Sequence, residues 1–205
     1  MIRLYRADWS TNCERVGLAV AFKGIEAESV VIDYFDRSEV ERVSGQGLVP
    51  VIDADGEVVH DSTAILRWLE ERHPEPPLYP SDPARRAEVD VFIDWFNEVW
   101  KGTANALEEE MERSRPDAET VDGLAETLDA RLDLFERLLA GRDHLTGDEV
   151  SAADFIVFPF IKYARSRDPA DDELFHRLLN EHQQLEGRPR LAAWIERVDA
   201  LPRAY

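Results

Sequence analysis

A small mixed α/β unit followed by an all-helical unit is the fold class this sequence predicts. Three observations carry it. Strand and helix signals alternate over residues 1–73 in the order β-α-β-α-β-β-α, which suits a small sheet with helices packed on it. Residues 74–83, P-E-P-P-L-Y-P-S-D-P, then hold five prolines, which lack an N–H and restrict the residue before them. Beyond that segment only helical periodicity remains. The expected boundaries are 1–75 for the α/β domain, 76–83 for a proline-rich linker and 84–205 for the helical domain.

Each element has a local reason. Ile2–Tyr5 is a short strand candidate, and Tyr5 on it reads as structural. Val16, Ala19 and Val20 recur at helical spacing over about 12–23, with Gly24 as the residue that closes the helix. Ser29–Ile32 is strand-like again. Val51–Asp53 and Glu57–Val59 flank Asp55-Gly56, a hairpin signal because glycine tolerates positive φ. Asp61 or Ser62 caps the next helix, which runs through Ile65, Leu66 and Leu69 to about Arg72. Asp82 with Pro83 opens a helix whose stripe is Val89, Phe92, Ile93, Phe96 and Trp100. Leu124, Leu128, Leu132, Phe135 and Leu139 predict a second long helix, and Ser151 starts a third. Asp171 to about Leu185 is a fourth, and Leu191, Trp194, Ile195 and Val198 mark a last one.

Composition excludes several classes. A content of 44% apolar residues with five Trp in 205 residues argues for a globular chain with a real core. Residues 1–8 contain Arg3, Arg6 and Asp8 and no long apolar run, so no secretory leader is expected. No stretch approaches the roughly 18 apolar residues of a membrane span. The net charge of −19 disfavours nucleic acid and anionic membrane as partners, and reads first as a solubility feature. The single cysteine, Cys13, rules out an internal disulfide and a cysteine metal cluster, and points to a reducing cytoplasm. His60, His73, His144, His176 and His182 show no ligand spacing, so no metal is expected.

The stretch Ser10-Thr11-Asn12-Cys13 stands out. It puts a hydroxyl three residues before a cysteine at the start of a helix, where a redox motif would carry its first sulfur. Helix capping is the competing reading, with Thr11 and Glu14 as a T-x-x-E capping box. Ser151-Ala-Ala-Asp154 is a capping box of the same kind, in which Asp154→Ala is expected to cost on the order of 1 kcal/mol.

Taken in order, S-T-N-C-E-R-V with K-G-I, L-V-P-V-I with D-S-T-A-I-L, and S-A-A-D-F resemble the cytosolic glutathione transferase superfamily over nearly the whole chain. The first piece is similar to the serine-type motif of the theta, zeta, tau and related bacterial classes. The resemblance implies a thioredoxin-like N-terminal domain, an all-helical C-terminal domain, a cytoplasmic homodimer, and glutathione as cosubstrate. It implies Ser10 as the hydrogen-bond donor to the thiolate, with Asn12 as the alternative. It implies a cis Val49-Pro50 bond that offers the Val49 backbone to a peptide-like ligand, and Asp61 and Ser62 as contacts for the γ-glutamyl end. The second substrate, a small apolar electrophile, is expected against Trp9, Phe96 and Trp100, although a stripe at i, i+4 is ordinarily core.

The chemistry fits those residue types. A thiol of pKa about 8.5 is only about 3% ionised at pH 7. Lowering it to about 6.5 is worth about 2.7 kcal/mol, within reach of one hydroxyl and a helix N-terminus. A serine cannot form a mixed disulfide, which favours conjugation. The alternatives are a glutathione-dependent disulfide or peroxide reductase, and a non-catalytic binding protein of the same fold. Leu48 stands where relatives often have Lys or Gln, so the thiol is glutathione or another low-molecular-weight thiol. Arg42 and Gln46 are the nearby substitutes for holding its carboxylate.

Overall fold

A computed structural model describes residues 1–33 and 35–205. They divide into two units, Met1–Pro80 together with Ala200–Tyr205, and Ser81–Asp199. Among the described residues no helix is long and apolar enough to cross a membrane.

The first unit is thioredoxin-like. Its four strands are β1 (Ile2–Arg6), β2 (Ala27–Val31), β3 (Val51–Ala54) and β4 (Glu57–His60), in the order β2-β1-β3-β4. β1 runs parallel to β2 and antiparallel to β3, and β4 is antiparallel to β3. Asp55 and Gly56 both have positive φ, 54° and 96°, as a tight hairpin requires. The Asp53 carboxylate fixes that turn by accepting from Gly56 N–H at 2.7 Å.

Helix α1 (Thr11–Phe22) buries Cys13, Val16, Leu18, Ala19 and Val20 completely, and Gly24 follows it at φ 64°. Ser10, not Thr11, is its N-cap. Ser10 has extended φ/ψ of −66° and 111°, and its Oγ accepts from Cys13 N–H at 3.3 Å. Thr11 is therefore the first helical residue and is buried, so the Thr11–Glu14 capping box does not form. Glu14 instead binds Arg203.

Helix α2 (Ser38–Ser44) ends at left-handed Gly45, and α3 (Ser62–Arg72) follows β4 directly. Lys23, just after α1, joins α3 to the proline-rich segment. Its Nζ donates to Glu70 at 2.8 Å and to the carbonyls of His73 and Pro76 at 2.6 and 2.9 Å. Glu70 in turn accepts from Leu78 and Tyr79 N–H. The proline-rich segment is thus pinned through buried Leu78 and Tyr79.

The second unit contains α4 (Pro83–Trp95), a π-helical turn (Phe96–Trp100), α5 (Lys101–Met111), α6 (Ala118–Ala130), α7 (Leu132–Leu138), α8 (Ala152–Ile161), α9 (Leu174–His182) and α10 (Pro189–Asp199). Helix α8 is buried along its whole length and opens with the expected Ser151–Asp154 capping box.

Three expectations are corrected here. The long helix through Leu124 and Leu139 breaks at Arg131, whose guanidinium donates to the Val99 carbonyl at 2.7 Å beside the π turn. The helix expected from Asp171 begins only at Leu174. Asp171 is turned inward, accepting from the Tyr163 hydroxyl at 3.1 Å and pairing with His176 Nδ1 at 3.0 Å. Phe96 and Trp100 do not line an open pocket. Both are 0% exposed and stack 4.7 Å apart, with Phe160 edge-on to both and Phe135 edge-on to Phe96, which makes them the aromatic core of the unit.

Candidate active site

Strand register brings three of the predicted site segments to one end of the sheet. Tyr5, near the end of β1, pairs with Val51, and Val51 pairs with His60 at the end of β4. The loop Ala7–Ser10, the Val49-Pro50 pair and the Asp61–Ser62 helix start therefore emerge at the same edge. Arg15 Nη1, on α1, donates to Ser62 Oγ at 3.1 Å.

Ser10 is half-buried at the N-terminus of α1. Its Oγ accepts from Cys13 N–H, and its hydroxyl also bonds the Cys13 thiol. The dipole of α1 favours an anion at that end. Asn12 is half-buried one turn position further on, and Trp9, 43% exposed, precedes Ser10 at φ 62°. A bulky residue in that left-handed region is held there by its surroundings.

Cys13 is not a reactive thiol. It is fully buried, and burial raises its pKa against the opposing hydrogen bond of Ser10 and the backbone of Ala7.

The Val49-Pro50 bond is cis. Among the described residues the Val49 N–H and C=O enter no hydrogen bond, so both remain for a ligand backbone. Asp61 caps α3, with φ 71° and its Oδ1 accepting from Ala64 N–H at 2.9 Å. Ser62 is buried on the first turn. Leu48 is 77% exposed, and Gln46 is folded back onto it, accepting from Leu48 N–H at 2.6 Å and donating to Leu48 C=O at 3.0 Å. Gln46 is thereby committed to the turn rather than to a ligand carboxylate. Arg42 is exposed beside Glu39 at 3.8 Å.

Two arginines escaped the motif reading. Arg15 is buried on α1, and burial pushes its guanidinium down to about 9 against the opposing pull of Asp61. The sequence signal was a lone cation inside the apolar run of that helix. Arg37, which precedes α2, packs its Cβ about Gly47 and acts electrostatically on Cys13. Nothing in the local pattern marks it, because its neighbours come from two other segments. Among the described residues no group of His, Cys, Asp and Glu side chains is arranged to hold a metal ion.

Comparison with known proteins gives the family. Residues 4–77 match the glutathione S-transferase N-terminal domain family, and residues 118–197 match the glutathione S-transferase C-terminal domain family. Glutathione S-transferase Z1 of Arabidopsis thaliana is 31% identical over 98% of this chain and 88% of its own. Maleylacetoacetate isomerase of Pseudomonas aeruginosa is 38% identical over a shorter stretch, 42% of this chain and 44% of its own. A glutathione S-transferase from Methylobacterium radiotolerans, solved in complex with glutathione sulfonate, superposes with a TM-score of 0.73 at 27% identity, covering 98% of this chain and 91% of its own. With a relative of that likeness matched along almost its whole length, the chain belongs to the glutathione S-transferase family and is an enzyme of the glutathione S-transferase type.

Proposed function

We propose that the protein binds glutathione at the end of the sheet and activates its sulfur as a thiolate for attack on a small apolar electrophile. The observation that carries this is the placement of Ser10, half-buried as the N-cap of α1 at the end of the sheet that also bears the cis Val49-Pro50 bond and the Asp61–Ser62 helix start. The Ser10 hydroxyl is the donor that a bound thiolate needs, turning to it from Cys13, and the helix dipole adds to it. The unbonded Val49 backbone suits the cysteinyl peptide groups of the tripeptide. The Asp61–Ser62 helix start suits the γ-glutamyl end, with Asp61 for the ammonium and Ser62 for the carboxylate. Arg37, beside Gly47 and within electrostatic reach of Cys13, takes over the glycyl carboxylate that Leu48 cannot hold. Exposed Trp9 forms one wall for the electrophile. The buried Cys13 offers no thiol for disulfide exchange, which favours this reading over a reductase.

The named isomerase relative favours a second outcome of the same chemistry. The thiolate adds to a carbon–carbon double bond conjugated with a carbonyl, the resulting single bond rotates, and expulsion of the thiolate restores the double bond. Thiol is then regenerated rather than consumed. The cytoplasmic symmetric dimer usual for the family is part of the same proposal, and gel filtration tests the dimer.

Turnover of an aryl halide with glutathione by Ser10→Ala is the test. Loss of the donor is expected to lower kcat by about 10²-fold, while calorimetry shows glutathione binding retained. Unchanged turnover removes Ser10 from the mechanism.

A further inference from the structure

The chain leaves the first unit after Pro80 and re-enters it at Ala200. Its last three residues are attached to α1 at successive points. Arg203 grips Glu14 with two nitrogens, at 2.9 and 3.2 Å, in a pair whose side chains are only 20% and 12% exposed. Ala204 N–H donates to the Gly17 carbonyl at 3.1 Å. The Tyr205 ring lies on Gly17 so closely that a Cβ there would stand 2.6 Å from Cε1, and Arg6 covers the ring at 4.0 Å. Glycine at 17 is what permits this approach.

Both ends of these contacts lead back to Ser10. Glu14 N–H donates to the Ser10 carbonyl at 3.0 Å, so Arg203 holds the first turn that Ser10 caps. Arg6, stacked on Tyr205, donates to Asp8 at 2.7 Å and to Ser29 at 2.8 Å, so the ring also fixes the loop that leads into Ser10. We infer that Arg203 and Tyr205 are positioning residues, a brace that holds the Asp8–Glu14 segment and so aims the Ser10 hydroxyl at the bound sulfur. The inference builds on the thiolate-stabilising reading of Ser10. Neither residue touches substrate. Both act by removing freedom from a loop whose Trp9 sits in the left-handed region.

The test uses Tyr205→Ala, Gly17→Ala and Arg203→Ala in the full chain, read by the pH–rate profile with glutathione and by amide exchange over residues 8–14. Gly17→Ala is the informative variant. Its methyl group evicts Tyr205, while the higher helix propensity of alanine over glycine offsets part of the packing lost. The brace predicts that all three variants move the acidic limb of the profile to higher pH. Exchange over 8–14 quickens, kcat/KM at slightly acid pH falls about tenfold, and KM for the electrophile stays unchanged. Tyr205→Phe, which keeps the ring, restores the wild-type profile. The inference is overturned if Tyr205→Ala and Gly17→Ala leave the acidic limb and the exchange as in wild type while Ser10→Ala moves the limb. If Ser10→Ala itself leaves the limb in place, the thiolate role of Ser10 falls. Exchange alone then decides the brace: quickened exchange in Gly17→Ala upholds it and unchanged exchange ends it.

Discussion

Asp154 carries more than its place in a capping box. Its carboxylate is 0% exposed and accepts from Ser151 N–H at 2.9 Å, Ser151 Oγ at 3.0 Å, Leu145 N–H at 3.0 Å and Trp194 Nε1 at 2.8 Å. Removing it strands donors from α8, α10 and the loop before α8 in a dry interior. Asp154→Ala should therefore cost about 4 kcal/mol, against the roughly 1 kcal/mol of a cap alone, and urea denaturation reads the difference. The motif showed the cap because its partners lie three residues apart. It could not show Trp194, which is 40 residues away. The same divide runs through the active site. Ser10, Val49-Pro50 and Asp61–Ser62 were open to proposal from the sequence because each is a short local pattern. Arg15 and Arg37 were not, because their roles come from segments that meet only in the fold.

Among the elements, the strands and helix starts were legible where a turn residue or cap sits beside an alternating or helical pattern. The π turn at Phe96–Trp100 was not, since its stripe has ordinary helical spacing. Its loosened carbonyl at Val99 is answered by Arg131 and by Thr103, whose Oγ1 donates at 3.2 Å. The start of α9 was misplaced because Asp171 prefers a buried cluster with Tyr163 and His176, whose rings stack 4.7 Å apart. That cluster carries a pH signature. Burial pulls the His176 pKa below its ordinary 6.5, outweighing Asp171, which pulls it up. A depressed histidine takes up its proton more readily when unfolded, so its contribution is complete above about pH 6.5 and is lost as pH falls below that value. The urea midpoint should drop between pH 7.5 and 5.5, and drop less in His176→Gln. An equal drop in both proteins would assign the acid sensitivity to other groups.

For the whole molecule, 43 acidic against 24 basic side chains leave a net charge of −19 that compaction must confine. Exposed pairs such as Arg72–Glu57 and Arg165–Glu196 offset little of it, since each is worth at most about 1 kcal/mol. Sodium chloride should raise the melting temperature, as the screening length shrinks from about 10 Å at 0.1 M to about 3 Å at 1 M. A melting temperature that falls with salt would mean that the ion pairs outweigh the repulsion. The two-unit organisation was legible from the proline-rich segment, but the return of Ala200–Tyr205 to the first unit was not, because Arg203 finds Glu14 across 189 residues of sequence. That return sets an order of assembly on the ribosome. The sheet and α1 emerge first and can collapse early, but the residues that clasp α1 are made only after all of Ser81–Asp199. A nascent chain would thus hold a formed but unclasped α1 until the helical unit has been synthesised, and the loop bearing Ser10 would be fixed only after that.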